Sequence, residues 1–360
     1  MSIYIHIPFC SSICTYCDFC KVLTNKQWIN EYLDALEKEI KQNYQGEYIK
    51  TLYIGGGTPS SLNLDELKRL FDIFKIFNID KNTEITFESN SEDLTLDKIK
   101  FLKNRINRLS IGIQTFNKET LKKLNRKLNT CNLNNAFKTF ENINIDLMYG
   151  FQNQNIENLK NDLNKIINLN PTHISTYCLI LEPNTKLYID NYKPLEDDKE
   201  REMYDLIVKT LTENGYGQYE LSNFSKQGYQ SKHNLVYWNN EHYYGFGLGA
   251  SGYVGNIRYE NTRGLNEYLR GNYTLDKHEL SLDETIQNEF ILGFRKIDGI
   301  SKQTFYQKYK INLDEINIVN SLLSQKILIE SQENIYINPQ YLYTSNEVLL
   351  NFIDFTLHKH

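Results

Sequence analysis

The sequence predicts an α/β fold, a partial (β/α)6 TIM-like barrel followed by a smaller C-terminal α+β domain. Short apolar segments alternate with amphipathic helices over roughly the first 225 residues, and parallel strands need such crossover helices between them. Most of the predicted strands also run into polar or glycine-rich segments. That pattern is typical of a barrel, whose chemistry lies at the carboxyl ends of its strands.

The elements follow one another in a regular order. Six apolar runs are the predicted strands, at residues 3–7, 50–54, 84–89, 108–113, 143–148 and 173–180. After the first strand, Ile29, Tyr32, Leu33, Leu36 and Ile40 recur at three- and four-residue spacing, which predicts a helix with one apolar face. The same periodicity follows the second strand over 64–74 and the third over 96–102.

The last 80 residues have a different pattern. They predict helices at 284–295, 302–309 and 313–325, a hairpin at 327–337 and a closing helix at 347–354. Because helices followed by a hairpin resemble a winged-helix arrangement, we expect a core domain over 1–225 and a C-terminal domain over 226–360, winged-helix-like from about 281. Residues 281–360 carry 7 Lys and Arg against 10 Asp and Glu, a balance of −3 that disfavours DNA binding.

The charge of the whole chain also excludes some functions. There are 40 Lys and Arg against 45 Asp and Glu, a net charge of −5, so a nucleic-acid partner is not expected. No apolar run approaches the roughly 20 residues that span a bilayer, and the start of the chain lacks the pattern of a signal peptide. We therefore expect a soluble, cytoplasmic protein.

Cysteine spacing is the most informative part of the composition. Cys10, Cys14, Cys17 and Cys20 fall within eleven residues, which indicates metal or redox chemistry in a chain without a secretory signal. Three thiolates at C-x3-C-x2-C spacing can hold three irons of a 4Fe-4S cluster and leave the fourth iron open. A structural zinc site is a weaker alternative because zinc ligands usually come as two separated pairs. A redox pair of Cys17 and Cys20 is weaker still, because no thioredoxin-like context follows.

The remaining thiols have simpler interpretations. Cys20 is expected to be a free thiol beside the cluster, with a role as substitute ligand as the alternative. Cys131 and Cys178 fall in helix and strand patterns and are expected to be buried as small apolar side chains.

An aromatic residue, Tyr16, precedes the third cysteine, and with it the motif resembles that of the radical S-adenosylmethionine enzymes. The resemblance implies that the amine and carboxylate of S-adenosylmethionine chelate the open iron. One electron from the cluster then cleaves a carbon-sulfur bond and releases a 5′-deoxyadenosyl radical. The run Gly-Gly-Gly-Thr-Pro at 55–59 supports this interpretation, since glycines after a strand let the backbone approach a ligand closely.

Further segments resemble one branch of these proteins, the oxygen-independent coproporphyrinogen III oxidases and the related HemW heme chaperones. They occur in that family's order: YIHIPFC (4–10), GGGTPS (55–60), ITFESN (85–90), RLSIGIQTF (108–116), NR (125–126), IDLMYG (145–150), STYCLILEPNT (175–185), QYELSNFS (218–225) and GFGLGASGY (245–253). By this resemblance the cofactor at the cluster is contacted by Tyr4, Tyr16, Gly57, Thr58 and Glu88. Three other residues match positions that hold a second S-adenosylmethionine in the oxidase, namely Gln114, Arg126 and Asp146. Whether a second molecule binds here is open.

Three features favour the chaperone over the oxidase. The oxidase has a longer segment before its cluster and a C-x-C pair at the third ligand, whereas here the cluster motif begins at residue 10 and residue 19 is Phe19. In addition, residues 233–238 match the H-N-x-x-Y-W motif associated with heme in the chaperones, which makes His233 the candidate iron ligand. The alternative is that His233 and Asn234 hydrogen-bond a turn while the aromatic residues fill the core.

The functional prediction is thus a heme chaperone that holds a 4Fe-4S cluster with S-adenosylmethionine, binds heme and transfers it to acceptor proteins. The resemblance implies that these acceptors are membrane respiratory proteins, a role with which peripheral membrane contact is compatible. The alternative is an enzyme that decarboxylates coproporphyrinogen III to protoporphyrinogen IX, and a weaker one is a radical enzyme with an unrelated substrate. The oligomeric state is open, with a dimer as one option.

Overall fold

The structure, a computed structural model, describes residues 1–357. Its strands are β1 (Ser2–Ile7), β2 (Phe9–Cys10), β3 (Val22–Leu23), β4 (Thr51–Gly56), β5 (Glu84–Asn90), β6 (Arg108–Gln114), β7 (Ile143–Tyr149), β8 (His173–Cys178), β9 (Gly217–Gln218), β10 (Asn223–Ser225), β11 (Tyr243–Phe246), β12 (Ser251–Val254), β13 (Ile257–Asn261), β14 (Thr274–Glu279), β15 (Ile300–Ser301), β16 (Leu328–Glu330) and β17 (Asn334–Ile337). Its α-helices are α1 (Lys26–Asn43), α2 (Leu64–Ile73), α3 (Leu96–Leu102), α4 (Lys118–Lys123), α5 (Thr130–Phe137), α6 (Ile156–Leu169), α7 (Lys186–Ile189), α8 (Asp197–Glu213), α9 (Lys232–Trp238), α10 (Leu265–Leu269), α11 (Leu282–Gly293), α12 (Lys302–Tyr309), α13 (Asn317–Ser324) and α14 (Ser345–Leu349).

The six predicted strands form the centre of one large sheet. Its order is β14-β13-β12-β11-β1-β4-β5-β6-β7-β8-β10-β9, and the run from β1 to β8 is parallel throughout. Since the order begins at β14 and ends at β9, the sheet of residues 1–357 keeps two edges and the barrel is partial. The predicted fold class is confirmed.

The helices and strands begin and end close to their predicted positions. In α1 the buried face includes Ile29 and Ile40, as the periodicity predicts, and the Asn25 side chain caps the first turn by accepting from two backbone amides. Strand β8 ends at Cys178, two residues earlier than predicted, and Ile180 is exposed. The predicted helix 313–325 is interrupted at Ile316, whose backbone is extended, so that α13 begins only at residue 317.

The chain after residue 225 contributes to two different units. Strands β11 to β14 extend the barrel sheet, with β11 parallel to β1. A separate apolar core begins at Ile286 and ends at Phe352, and it packs α11, α12 and α13 against the small sheet β15-β17-β16. The first two helices and the hairpin predicted for this region are present, whereas the predicted closing helix is the short α14, which ends at Leu349 before a 3-10 turn. The division at 225/226 stays a prediction, because the barrel sheet continues across it.

Parallel strands place their carboxyl ends along one edge of the barrel, and this edge positions the site. Strand β6 ends there at Gln114, whose φ of 70° lies in the left-handed region, next to an irregularity in its pairing with β7. Within the described part of the chain, no helix is long and apolar enough to cross a membrane.

Candidate functional site

A cavity of about 510 Å³ opens at the carboxyl ends of the barrel strands. Ten of the twelve predicted site residues line it: Cys10, Cys14, Tyr16, Cys17, Gly57, Thr58, Glu88, Gln114, Arg126 and Asp146. Tyr4 and His233 do not. Residues far apart in sequence thus share one space because consecutive parallel strands deliver them to the same edge of the sheet.

The cysteine motif forms the loop between β2 and β3, whose short parallel pairing closes the loop at its base. The Lys21 ammonium donates to the Cys17 carbonyl at 2.6 Å, and the Cys17 amide donates to the Cys14 carbonyl at 3.3 Å. These bonds use backbone groups, and the thiols of Cys10, Cys14 and Cys17 form no disulfide. The three sulfur atoms are therefore available to a ligand in the cavity.

The cavity thiols suit a cluster of several irons. Burial raises the pKa of Cys10 to about 11 and also raises that of Cys17, so each needs a bound cation to become the thiolate ligand at neutral pH. Three thiolates that each bind a different iron are the donor set of a cubane with one open iron, and Cys10, Cys14 and Cys17 offer that set in one cavity.

The glycine run brings the backbone of β4 close to the cysteine loop. A Cβ atom at Gly57 would lie 2.6 Å from the Pro8 carbonyl oxygen and 3.0 Å from the Cys10 sulfur, so only glycine fits. The neighbouring Thr58 hydroxyl lies 3.5 Å from that sulfur and donates to the Gly57 carbonyl at 2.7 Å. This close approach leaves the mouth of the cavity next to Cys10 open to a ligand.

Glu88 is an anchored carboxyl group on the cavity wall. It accepts from the Tyr53 hydroxyl at 2.6 Å and from the Gly56 amide at 3.1 Å. Burial raises its pKa to about 7, with a further rise from the nearby Asp146. At neutral pH the group can therefore act as either donor or acceptor toward a bound ligand.

Arg126 connects the cysteine loop with the ends of β5 and β6. Its guanidinium donates to Asn90 Oδ1 at 2.7 Å and to the Gly112 carbonyl, and it lies 3.8 Å from the Cys14 sulfur. A Cβ at Gly112 would come within 2.9 Å of the Gln114 amide nitrogen, so the glycine makes room for both side chains. One positive charge is thereby held beside a predicted cluster ligand.

The floor of the cavity contains residues that the sequence prediction missed. Asp146 accepts from the Asn144 amide at 2.7 Å, and burial raises its pKa. Arg108 is 2% exposed and its Nε has no hydrogen-bond partner. Both Asn144 and Arg108 line the cavity, as do Asn90 and Tyr177. Strand alternation was the available signal: Asn144 lies two residues from Asp146, and Arg108 lies at the same parity as Gln114.

Cys20 is turned away from the other three cysteines. Its sulfur packs on Gly249, where a Cβ atom would lie 3.0 Å away, and it is 4.0 Å from the Arg263 carbonyl. The Cys20 carbonyl oxygen lies 2.7 Å from His6 Nε2. Cys20 does not line the cavity, which agrees with the interpretation as a free thiol. Cys131, by contrast, was expected to be buried and is exposed on α5.

Tyr4 lies beside the cavity and does not face it. Its hydroxyl is 3.0 Å from His6 Nδ1, and its ring packs against Tyr53 with 6.1 Å between centroids. Tyr53 occupies the wall position. The contact between Tyr4 and the cofactor stays a prediction, and Tyr53 lies on the strand next to Tyr4 at the cavity wall.

The predicted heme ligand, His233, is locked inside the protein. It is 1% exposed, its Nδ1 lies 2.7 Å from Thr51 Oγ1, and its Nε2 lies 2.8 Å from the Tyr237 hydroxyl. The ring stacks on Tyr53 at 5.0 Å, and burial lowers its pKa to about 3. Both ring nitrogens are thus hydrogen-bonded to side chains of β4 and α9, and neither faces the cavity. The role of His233 as an iron ligand stays a prediction, and binding of heme iron there would require one of these two hydrogen bonds to break.

The barrel, the cavity and the cysteine loop define a class of protein. A family model described as the Radical SAM superfamily matches residues 4–166, the part of the chain that supplies most of the cavity. The solved structure of coproporphyrinogen III oxidase (HemN) from Escherichia coli superposes with a TM-score of 0.84 at 23% identity, over 98% of this chain and 89% of that one. This likeness shows a shared fold.

Relatives that align with most of this chain identify the family within that class. The protein named heme chaperone HemW from Bacillus subtilis is 38% identical over 98% of this chain and 99% of its own length. That of Lactococcus lactis is also 38% identical, over 98% and 97%. That of Escherichia coli K12 is 33% identical, over 85% of each chain. The chain belongs to the HemW heme-chaperone family.

Proposed function

We propose that this protein is a heme chaperone that holds a 4Fe-4S cluster and S-adenosylmethionine in the barrel cavity, binds heme and transfers it to acceptor proteins. The carrying observation is that three free thiols and seven other predicted residues line one cavity, in a chain whose relatives are named heme chaperones. Cys10, Cys14 and Cys17 would each hold one iron. The bound cluster supplies a single electron and an open iron for the amine and carboxylate of S-adenosylmethionine.

Different cavity residues would make different contacts with that cofactor. The glycine at position 57 and the Thr58 hydroxyl form the wall next to Cys10, where a ligand can approach the backbone. Glu88, held by two hydrogen bonds, presents a carboxyl group of fixed orientation. Arg126 supplies a positive charge beside Cys14. Gln114 and Asp146 extend the polar lining of the cavity. The test therefore includes the number of S-adenosylmethionine molecules bound per chain, one or two.

The heme acceptors and the cellular location follow from the same family membership as further parts of the proposed function. The acceptors are proposed to be respiratory proteins and the location the cytoplasm, with peripheral contact at the membrane where such acceptors reside. The relatives are named heme chaperones, which supports heme as the ligand and its delivery to acceptor proteins. The negative net charge disfavours a nucleic-acid partner.

One anaerobic experiment tests the proposal against its rivals. The reconstituted protein is titrated with hemin. In a parallel reaction it is incubated with coproporphyrinogen III, S-adenosylmethionine and a reductant, and decarboxylation of the porphyrinogen is measured. We expect about four irons per chain, a shifted Soret band and no decarboxylation above background. Decarboxylation would support the oxidase instead. Cleavage of the cofactor with neither heme binding nor decarboxylation would indicate a radical enzyme with an unrelated substrate.

A further inference from the structure

A second concavity lies on the helical layer outside the barrel. It is bounded by α4, the turn 124–128, α5 and the C-terminal half of α6, and its volume is about 1090 Å³, larger than the cofactor cavity. We call it the helical cleft. Apart from Phe116, Asn125 and Arg126, its lining residues belong to none of the motifs described above, and only Arg126 is shared with the cofactor cavity.

The helical cleft has an apolar floor and a positively charged rim. Five cations line it, with no carboxylate among the lining residues: Lys118, Lys122, Arg126, Lys127 and Lys165. In a chain with a net charge of −5, this is a local reversal of sign. Phe116 and four leucines supply the apolar surface, and the Lys165 ammonium lies 5.4 Å above the Phe116 ring.

The lysine charges of the rim are available to a ligand. Within the part of the chain that the structure describes, none of the four cleft lysines forms an ion pair within 4.0 Å, although nine other lysines do. The side chains of all four are exposed. An apolar surface below unpaired ammonium groups complements a flat apolar molecule that carries carboxylates at its edge.

We propose that the helical cleft is the heme site, with the tetrapyrrole face on Phe116 and the leucines and the propionates on Lys122 and Lys165. This inference rests on the proposed function, which supplies heme as the ligand. The cleft volume of about 1090 Å³ is large enough for a tetrapyrrole, since pockets of roughly 300 to 1,000 Å³ hold drug-sized molecules. The cleft is open to solvent, as a site must be if a second protein is to remove its ligand.

The lining also accounts for release. None of the described residues that line the cleft is His, Cys or Met, the side chains that ligate heme iron most strongly. Heme would be held by its propionates and its apolar face, and its iron would keep a free axial position. An acceptor that contributes an axial ligand then has an interaction that the carrier lacks, which favours transfer toward the acceptor.

The cleft shares a wall with the cysteine loop. The turn that follows α4 accepts a hydrogen bond at the Leu124 carbonyl from the Thr15 amide, at 3.2 Å, and the Asn125 amide group donates to the Ile13 carbonyl at 2.8 Å. Arg126 lines both spaces. A test of the cleft must therefore leave the turn and Arg126 unchanged.

The test uses the reconstituted full chain and two pairs of charge reversals. Lys122→Glu with Lys165→Glu alters the cleft, while Lys160→Glu with Lys209→Glu makes the same change of net charge on exposed lysines of α6 and α8 outside it. We expect the Kd for hemin to rise about tenfold in the cleft variant and to stay unchanged in the control. Equal iron content in both variants shows that the cofactor site is intact.

A second probe needs no variant. Hemin dimethyl ester lacks the propionate charges, so wild type should bind it about tenfold more weakly than hemin, and the cleft variant should add no further loss. If wild type binds hemin but both variants bind it equally, or if the ester binds as tightly as hemin, the cleft assignment is overturned and the proposed function stands. If wild type does not bind hemin, both fall. Loss of binding to anionic phospholipid vesicles in the cleft variant, with hemin affinity unchanged, would assign the cleft to a lipid surface and overturn the proposal.

Discussion

The cysteine loop and the helix that carries His233 are both marked by sequence motifs, yet the donor atoms of the loop line a cavity and those of the helix are buried. In the loop, the thiols of Cys10, Cys14 and Cys17 form no disulfide and line a cavity, with only long contacts from Thr58 and Arg126 to two of them. In helix α9, both nitrogens of His233 are hydrogen-bonded and the ring is buried. A motif supplies the type of donor, but the neighbours of each donor decide whether a ligand can reach it.

The cause lies in what surrounds each segment. The loop satisfies its backbone polar groups through its own backbone, Lys21 and the turn after α4, which leaves the sulfur atoms without strong partners. His233 follows the capping residue Ser231 and points inward, where Thr51 on β4 and Tyr237 one helical turn later meet its two nitrogens. Burial of an imidazole without such partners would cost more than burial with them.

The largest effect is expected at the loop. Cys14→Ser should reduce the iron content from about four per chain to near zero, because one of the three thiolates is removed. Its thermal unfolding without iron should match that of wild type, since the Cys14 side chain is only partly buried. Iron analysis and visible absorption after anaerobic reconstitution measure the change.

Cys20→Ser is the matched control for this loop. It makes the same chemical change six residues away, on a sulfur that packs against Gly249 outside the cavity, and should keep the full iron content. A full cluster in the Cys14 variant, or its loss in the Cys20 variant, would contradict the division between these cysteines.

The second effect concerns the helix. His233→Ala removes a buried ring that stacks on Tyr53 and leaves two hydroxyl groups unpaired, so the free energy of unfolding should fall by about 4 kcal/mol. The folded variant should still bind hemin as wild type does. Urea unfolding and hemin titration of the same sample separate the two roles, and normal stability together with lost heme binding would show that His233 is an iron ligand after all.

The smallest effect lies at the junction of the two regions, where Tyr53 donates to Glu88 and stacks on His233. Burial raises the pKa of Glu88 from 4.5 to about 7, so the folded state keeps a proton that the unfolded state releases in this interval. The contribution of Glu88 to stability is therefore lost as the pH rises through that window. Compared with Glu88→Gln, wild type should lose up to about 3 kcal/mol between pH 4.5 and 8.

Urea unfolding of both proteins across this pH range isolates Glu88, because other titrating groups cancel in the difference. A difference that does not vary with pH would mean that Glu88 ionises at an ordinary pKa and that the cavity wall is more hydrated than the structure shows.

Much of the fold and of the cavity was predictable, and the failures have physical reasons. Strand and helix periodicity located the six parallel strands, and most of the polar residues near their ends met in one cavity. Tyr4 does not line the cavity, where Tyr53 on the adjacent strand occupies the wall. Arg108 and Asn144 were missed because residues deeper in a strand reach the cavity only through the inward face of the barrel.

The sequence by itself determined the local chemistry: the spacing of three thiols, the glycines that permit close approach and the order of strands and helices, all of which depend on residues near one another in the chain. Only the tertiary structure decided which donors are accessible. Thr51, Tyr53 and Tyr237 enclose His233, and the packing of α4, α5 and α6 gathers five cations around an apolar floor. These outcomes depend on contacts between distant segments, which periodicity and spacing do not encode.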